Sequence, residues 1–363
     1  MTLAAARIAS LLLLFGVLHA GGTSSPPVRV YVLAGEENMS GRGNLSHLEE
    51  LVKDPSTGST YANVVNRMKN GTTSWRVSDK VWIQYLDKLG KLTVGYTLPY
   101  GVYFGPELGF GHVVEEAAKN GTDIFLVKIA WKEARLAVEY RPFSSGERNY
   151  THNCTNNSSS SDGCIPYDSH DYHFFYVIMV DIIKEVLQEL VSINPDWTSY
   201  ELGGLVWLQG VSDYHNAAMC REYRKNLANF IHDIRASLDQ PRLPVVVGEL
   251  GIGGNTNATK NDTRLRRFRE HQRSVTQLPP LRSNTKFVPT SVYTPPSGEE
   301  AVFDSIDHYY GRADTFYLMG RSFGQAMLDL QRMAAEQEAI RLPKDRPIST
   351  ERKKTLGTQT DGR

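Results

Sequence analysis

The chain alternates short runs of β-branched and apolar residues with longer stretches in which apolar positions recur every three or four residues. The first run, Val28-Arg29-Val30-Tyr31-Val32-Leu33, ends at Ala34-Gly35 and reads as a buried strand entering a turn. Similar runs recur at 124–129, 205–208 and 245–247, each followed by glycine or polar residues. Between them, Phe174, Phe175, Ile178, Met179, Ile182, Ile183, Val186, Leu187, Leu190 and Val191 keep helical spacing until Pro195 stops it, predicting a long amphipathic helix. Weaker patterns predict helices over about 107–118, 221–238 and 315–336. Strands alternating with helices predict an α/β fold, a three-layer αβα sandwich built on a mostly parallel sheet.

Composition narrows the partners more than the fold. At 363 residues, with 40% hydrophobic residues, the chain is long enough to bury a large core. Lys+Arg and Asp+Glu are both 40, so the molecule as a whole presents no field that would gather nucleic acid or an anionic membrane. Residues 1–20 carry one cation, Arg7, then an apolar run over 8–18, and end in Ala20, which is signal-peptide architecture and predicts a secreted protein. No later run approaches the roughly 20 apolar residues of a membrane span, so none is expected.

Secretion gives weight to the Asn-x-Ser/Thr sites, four of which (Asn149, Asn153, Asn156 and Asn157) crowd one polar stretch. This predicts a glycan-rich insertion at 144–168 within a domain over 28–340, followed by a disordered polar tail at 341–363. Cys154 and Cys164 lie in that insertion and are expected to form a disulfide, leaving Cys220 as a buried structural thiol. The His170-Asp171-Tyr172-His173 run precedes the long helix and reads as a cap rather than a metal site.

In a doubly wound sheet, ligands sit beyond the carboxyl ends of the strands. Four segments there are distinctive: Gly35-Glu36-Glu37-Asn38-Met39-Ser40-Gly41, Ala130-Trp131-Lys132-Glu133, Gln209-Gly210-Val211-Ser212-Asp213, and Asp304-Ser305-Ile306-Asp307-His308-Tyr309. With Gly105-Pro106-Glu107-Leu108-Gly109-Phe110-Gly111, Trp207-Leu208-Gln209-Gly210 and Gly248-Glu249-Leu250-Gly251, the order and spacing resemble the sialate O-acetylesterase-like carbohydrate esterases of the SGNH hydrolases. The resemblance runs from Val28 to about Leu328 and implies the SGNH-hydrolase (flavodoxin-like) sandwich.

That resemblance also implies a serine nucleophile at the turn after the first strand, a histidine base near the C-terminus and an acidic neighbour orienting it. The histidine maps to His308; Asp304 and Asp307 both remain candidates for its partner, because the family's position three residues earlier is Ser305. Gly35, Asn38, Trp131, Gln209, Gly210, Ser212 and Asp213 map to substrate and oxyanion binding. No cofactor or metal is implied, and the expected ligand is a carbohydrate, in particular an O-acetylated glycan.

The departure is at the nucleophile, where the family's G-Q-S-N-M reads G-E-E-N-M and Glu37 replaces serine. A carboxylate in a site meant for an oxyanion opposes the charge that develops in acyl transfer. Lys132-Glu133 likewise replaces a Gly-Gly pair, and side chains there are expected to narrow the pocket. The leading expectation is therefore a catalytically silent relative that binds carbohydrate. The alternative is an active hydrolase in which Glu36, Glu37, Asp213, Asp304, Asp307 and His308 form an acidic cluster with an imidazole, working by acid–base or cation-assisted chemistry. Ser40, one helical turn on, is too distant to stand in for the serine.

Overall fold

The computed structural model describes residues 26–67, 73–118, 121–148, 150, 170–254, 256–294 and 304–341. The expected signal sequence, the crowded Asn-x-Ser/Thr sites, the expected Cys154–Cys164 disulfide and the expected polar tail beyond 341 fall outside them. The strands, in chain order, are β1 (Val28–Gly35), β2 (Gly43–Asn44), β3 (Val65–Arg67), β4 (Thr73–Trp75), β5 (Val81–Tyr85), β6 (Lys88–Lys91), β7 (Tyr103–Phe104), β8 (Ile124–Ala130), β9 (Tyr200–Leu208), β10 (Val245–Gly248) and β11 (Thr285–Val288). The helices are α1 (Glu37–Ser40), α2 (Leu45–Lys53), α3 (Glu107–Ala117), α4 (Phe174–Ile193), α5 (Val211–His215), α6 (Ala217–Ser237), α7 (Asn257–Asn261), α8 (Thr263–Val275) and α9 (Ala313–Arg341).

Seven strands form one sheet in the order β11-β10-β9-β1-β8-β5-β6. All neighbours run parallel except β5 and β6, an antiparallel hairpin at one edge. The hydrophobic runs are central strands because both of their faces are covered, so apolar residues persist without polar alternation. Along β1, Val30, Val32 and Ala34 join a core closed by α4, α6 and α8, whereas Tyr31 and Leu33 join one closed by α2, α3 and α9. The predicted three layers are thus present, with β1 at the centre and its carboxyl end at the switch of strand order.

The long helix occupies Phe174–Ile193 and buries Met179, Ile183, Val186 and Leu190. Its cap differs from expectation: His173 sits at the N-cap with φ 65° and makes no capping bond. Its Nδ1 instead lies 2.6 Å from Arg141 O, and its ring stacks on Phe143 at 4.4 Å. Helix α6 starts four residues before the expected position, because Asn216 Oδ1 accepts from the N–H groups of Ala218 and Met219. Among the described residues, no helix is long and apolar enough to cross a membrane.

Helices α3 and α9 approach through glycine. A Cβ on Gly109 would lie 2.1 Å from Tyr317 O, and one on Gly320 would lie 2.1 Å from Pro106 O, so neither position accepts a side chain. Beside this contact, His112 is buried with Nδ1 3.2 Å from the Tyr317 hydroxyl, which donates to Asn63 Oδ1 at 2.6 Å.

Burial, aided by Arg76 and Arg321, pushes His112 down to about 3 from an ordinary value of 6.5. Between those values the unfolded chain binds a proton that the folded chain does not, so stability falls as the medium is acidified through that window. Urea denaturation is expected to show the natural chain losing about 3 kcal/mol more than His112→Asn between about pH 7 and about pH 4. Equal losses would mean that His112 protonates in the folded state.

Candidate active site

Strand β1 delivers the site by ending at a residue that cannot carry a side chain. A Cβ on Gly35 would lie 2.0 Å from Leu208 O, and this close approach lets the chain turn into α1. The Gly35 carbonyl accepts from the buried Tyr140 hydroxyl at 3.0 Å. Glu37 opens α1 and is partly exposed, with its side chain 14% accessible.

The carboxylate of Glu37 lies between two cationic or ionisable partners. One oxygen pairs with the Arg42 guanidinium; the other is 3.2 Å from His308 Nε2. On the far side of the imidazole, His308 Nδ1 lies 3.0 Å from Asp304 Oδ1 and 3.2 Å from Ser305 Oγ. Asp304, His308 and Glu37 therefore stand in a row with the geometry of an acid–base–nucleophile triad, the last position held by a carboxylate. A carboxylate brings no hydroxyl proton for the imidazole to accept, and its charge is already matched by Arg42.

His308 is presented by a tight loop in which Tyr309, Tyr310 and Gly311 all have positive φ, at 53°, 57° and 70°. Two consecutive non-glycine residues in that region cost about 1–2 kcal/mol each. The buried Tyr309 side chain holds them: its hydroxyl accepts from Gly251 N at 3.1 Å and lies 2.9 Å from Thr290 Oγ1. Asn38, buried beside Glu37, donates from Nδ2 to Asp307 O at 2.9 Å and ties α1 directly to this loop.

Asp307 pairs with a different imidazole, its Oδ2 3.2 Å from His215 Nε2. That contact raises the His215 pKa and lowers that of Asp307. Glu36 is turned inward, where its carboxylate accepts from the N–H groups of Gly210 (2.6 Å), Val211 and Ser212 (3.3 Å) and from Ser212 Oγ (2.9 Å). These bonds tie the end of β1 to the loop after β9 and leave those donors engaged. Burial still pushes the Glu36 pKa up, against the lowering effect of the bonds.

Asp213, fully buried, accepts from Leu136 N (2.8 Å), Ala137 N (3.0 Å) and Gln209 Nε2 (2.7 Å), and Gln209 Nε2 also reaches Ala134 O at 3.0 Å. Burial, with Glu36 adding to it, pushes Asp213 up to about 7. Gln209 and Asp213 thus brace the loop after β8 from within. Trp131 stacks on Phe175 at 4.4 Å and packs against the core beside α4. Of the six members of the expected acidic cluster, Asp304, His308 and Glu37 meet in one row while Glu36, Asp213 and Asp307 are engaged with other partners, and among the described residues no group of three or more His, Cys, Asp or Glu is placed to hold a metal ion.

Lys132 and Glu133 do not turn inward as expected. Their side chains are each 69% exposed and lie 3.7 Å apart, facing solvent. Glu133 keeps φ 56°, a conformation suited to the glycine it replaces.

Two residues essential to this arrangement were not singled out from sequence. Arg42 gives no sign of its contact with Glu37, although the pair is only five residues apart. Lys128 does carry a signal, being the one charge in the apolar strand β8. Its ammonium is fully buried under α1, donating to Ser40 O (2.7 Å), Tyr96 O (2.7 Å) and Glu107 Oε2 (2.8 Å).

Comparison with known proteins agrees with this architecture. The family described as carbohydrate esterase, sialic acid-specific acetylesterase, matches residues 27–290. The His308 loop lies beyond the end of that match. Among solved structures, a protein from Arabidopsis thaliana is 18% identical, with a TM-score of 0.50 over 84% of this chain and 99% of its own. NanS is 13% identical, with a TM-score of 0.50 over 85% of this chain and 99% of its own. A carbohydrate acetylesterase from Xanthomonas citri is 14% identical, with a TM-score of 0.47 over 83% of this chain and 56% of its own. No curated protein matches.

Proposed function

The chain belongs to the sialic acid-specific acetylesterase family of carbohydrate esterases, and on that premise we propose that it is a secreted, glycosylated member that binds carbohydrate, O-acetylated glycan in particular, without hydrolysing it. The observation that carries this reading is the Glu37 carboxylate, paired with Arg42 and 3.2 Å from His308 Nε2 at the nucleophile's place. Acyl transfer needs an attacking atom that gives up a proton to the base and donors that gather negative charge on the carbonyl oxygen. Glu37 supplies neither, and Glu36 occupies the N–H groups of Gly210, Val211 and Ser212. The carboxylate and guanidinium instead offer an acceptor and donors to sugar hydroxyls. The leader-like residues 1–20 and the crowded Asn-x-Ser/Thr sites support the secretory route.

The purified natural protein is expected to hydrolyse an aryl acetate no faster than its His308→Ala variant, while calorimetry detects binding of an O-acetylated sialoside. Turnover that disappears in His308→Ala or in Glu37→Gln would contradict the reading, because it would make the carboxylate row catalytic.

A further inference from the structure

Helices α6 and α8 together form a basic face on a chain whose total charge is balanced. Arg221, Arg224 and Lys225 lie on one side of α6 by their spacing, and Arg264 and Arg267 lie on one side of α8. All five side chains are exposed. The two sets meet at a common seam: Tyr223 packs on Phe268 at 4.3 Å, Arg224 Nε donates to Ser274 Oγ at 3.0 Å, and His271 Nδ1 lies 3.1 Å from Cys220 O. The His271 pKa is lowered by burial first, with Arg267 and Arg224 adding to it.

Two nearby acids are committed elsewhere, and Asp262 lies close enough to Arg264 for that cation to help lower its pKa. Glu222 pairs with Arg148 at 2.8 Å, Glu270 faces Arg273 at 4.0 Å, and Asp262 caps α8 while accepting from the Tyr214 hydroxyl. Among the described residues none of the five cations forms an ion pair. The face also runs up to the candidate site. Arg264 covers the Tyr214 ring at 4.6 Å, and the next residue, His215, contacts Asp307 beside His308.

We propose that this face docks an extended polyanionic glycan, a sulfated or carboxylated polysaccharide whose chain then leads to the mouth of the site. Several unpaired cations in a row match a polymer that carries anionic groups at intervals, and binding of that kind is dominated by counterion release. The choice of a glycan over other polyanions rests on the family's carbohydrate chemistry, and is independent of whether Glu37 permits turnover.

The test is surface plasmon resonance of the full-length protein on immobilised heparin, at several salt concentrations from about 50 to about 200 mM. The expected result is salt-sensitive binding that weakens at least about tenfold in the folded Arg221→Ala/Arg224→Ala/Arg264→Ala/Arg267→Ala variant, with a shallower salt dependence. Lys225→Glu, which disturbs no hydrogen bond, is expected to weaken binding in the same direction. Heparin binding that depends on these cations is expected whether or not the natural protein binds an O-acetylated sialoside or turns over an aryl acetate, so this proposal and the proposed function fail separately. Unchanged heparin affinity in the charge variants would overturn the proposal. So would tighter binding at equal salt to duplex DNA or to phosphatidylserine vesicles.

Discussion

Replacing Glu37 by serine is expected to give a slow, His308-dependent esterase where the proposed reading has the natural protein silent. The remaining machinery is already assembled: His308 Nε2 points at position 37, and Asp304 holds Nδ1 at 3.0 Å. A hydroxyl there gives the imidazole a proton to accept, and positioned general bases typically contribute about 10²–10⁴-fold to rate. Loss of the carboxylate also leaves the Arg42 guanidinium beside the turn, where positive charge favours a developing oxyanion. With an aryl acetate as substrate, kcat/KM is expected to rise at least about 100-fold above the natural protein. Adding His308→Ala should abolish the gain, adding Asp304→Asn should reduce it strongly, and adding Asp307→Asn should leave it nearly intact, since Asp307 engages His215. If a Glu37→Ser protein of unchanged melting temperature stays inert, the frame has lost more than its nucleophile, and the N–H groups held by Glu36 become the next suspects.

The second large effect is expected beneath the turn. Lys128 is fully buried, and burial lowers its pKa while Glu107 acts to restore it. Lys128→Met strands the Glu107 carboxylate in the core and leaves the Ser40 and Tyr96 carbonyls without their donor. Breaking one side of a buried pair costs about 3–5 kcal/mol, whereas replacing both sides costs far less than the sum. Urea denaturation is therefore expected to show a loss of that size for Lys128→Met and a partial recovery in Lys128→Met/Glu107→Gln. A single-variant loss below about 1 kcal/mol would show that water or a shifted side chain replaces the pair.

Much of this frame is visible in the order of residues. The apolar runs of β1, β8, β9 and β10 are buried on both faces, so their composition alone marks central strands. The segments after β1 and β9, together with the Asp304–His308 loop, do converge, joined by Glu36 to Gly210, Glu37 to His308 and Asn38 to Asp307. Edge elements were harder to read. Strand β11 has only four residues, and α8 hides the buried stripe of Leu265, Phe268, Gln272 and Val275 among five arginines.

The identity of the residue beside His308 was also out of reach. Asp307 adjoins His308 and Asp304 lies four residues before it, yet it is the more distant carboxylate that meets the imidazole, in a loop whose three successive left-handed residues no local pattern announces. Arg42 is a similar case, because a guanidinium that folds back on α1 leaves no periodic trace.

The supports of α1 have a consequence for how such a protein changes over time. Lys128 holds the Ser40 carbonyl from below, Asn38 ties the turn to the Asp307 carbonyl, and Gly35 sets its entry angle; none of these passes through side chain 37. Position 37 is therefore a socket, open to exchange while the fold stands. A library of all residues at that single position should yield mostly folded proteins with differing chemistry, so that loss and recovery of activity lie a short mutational walk apart.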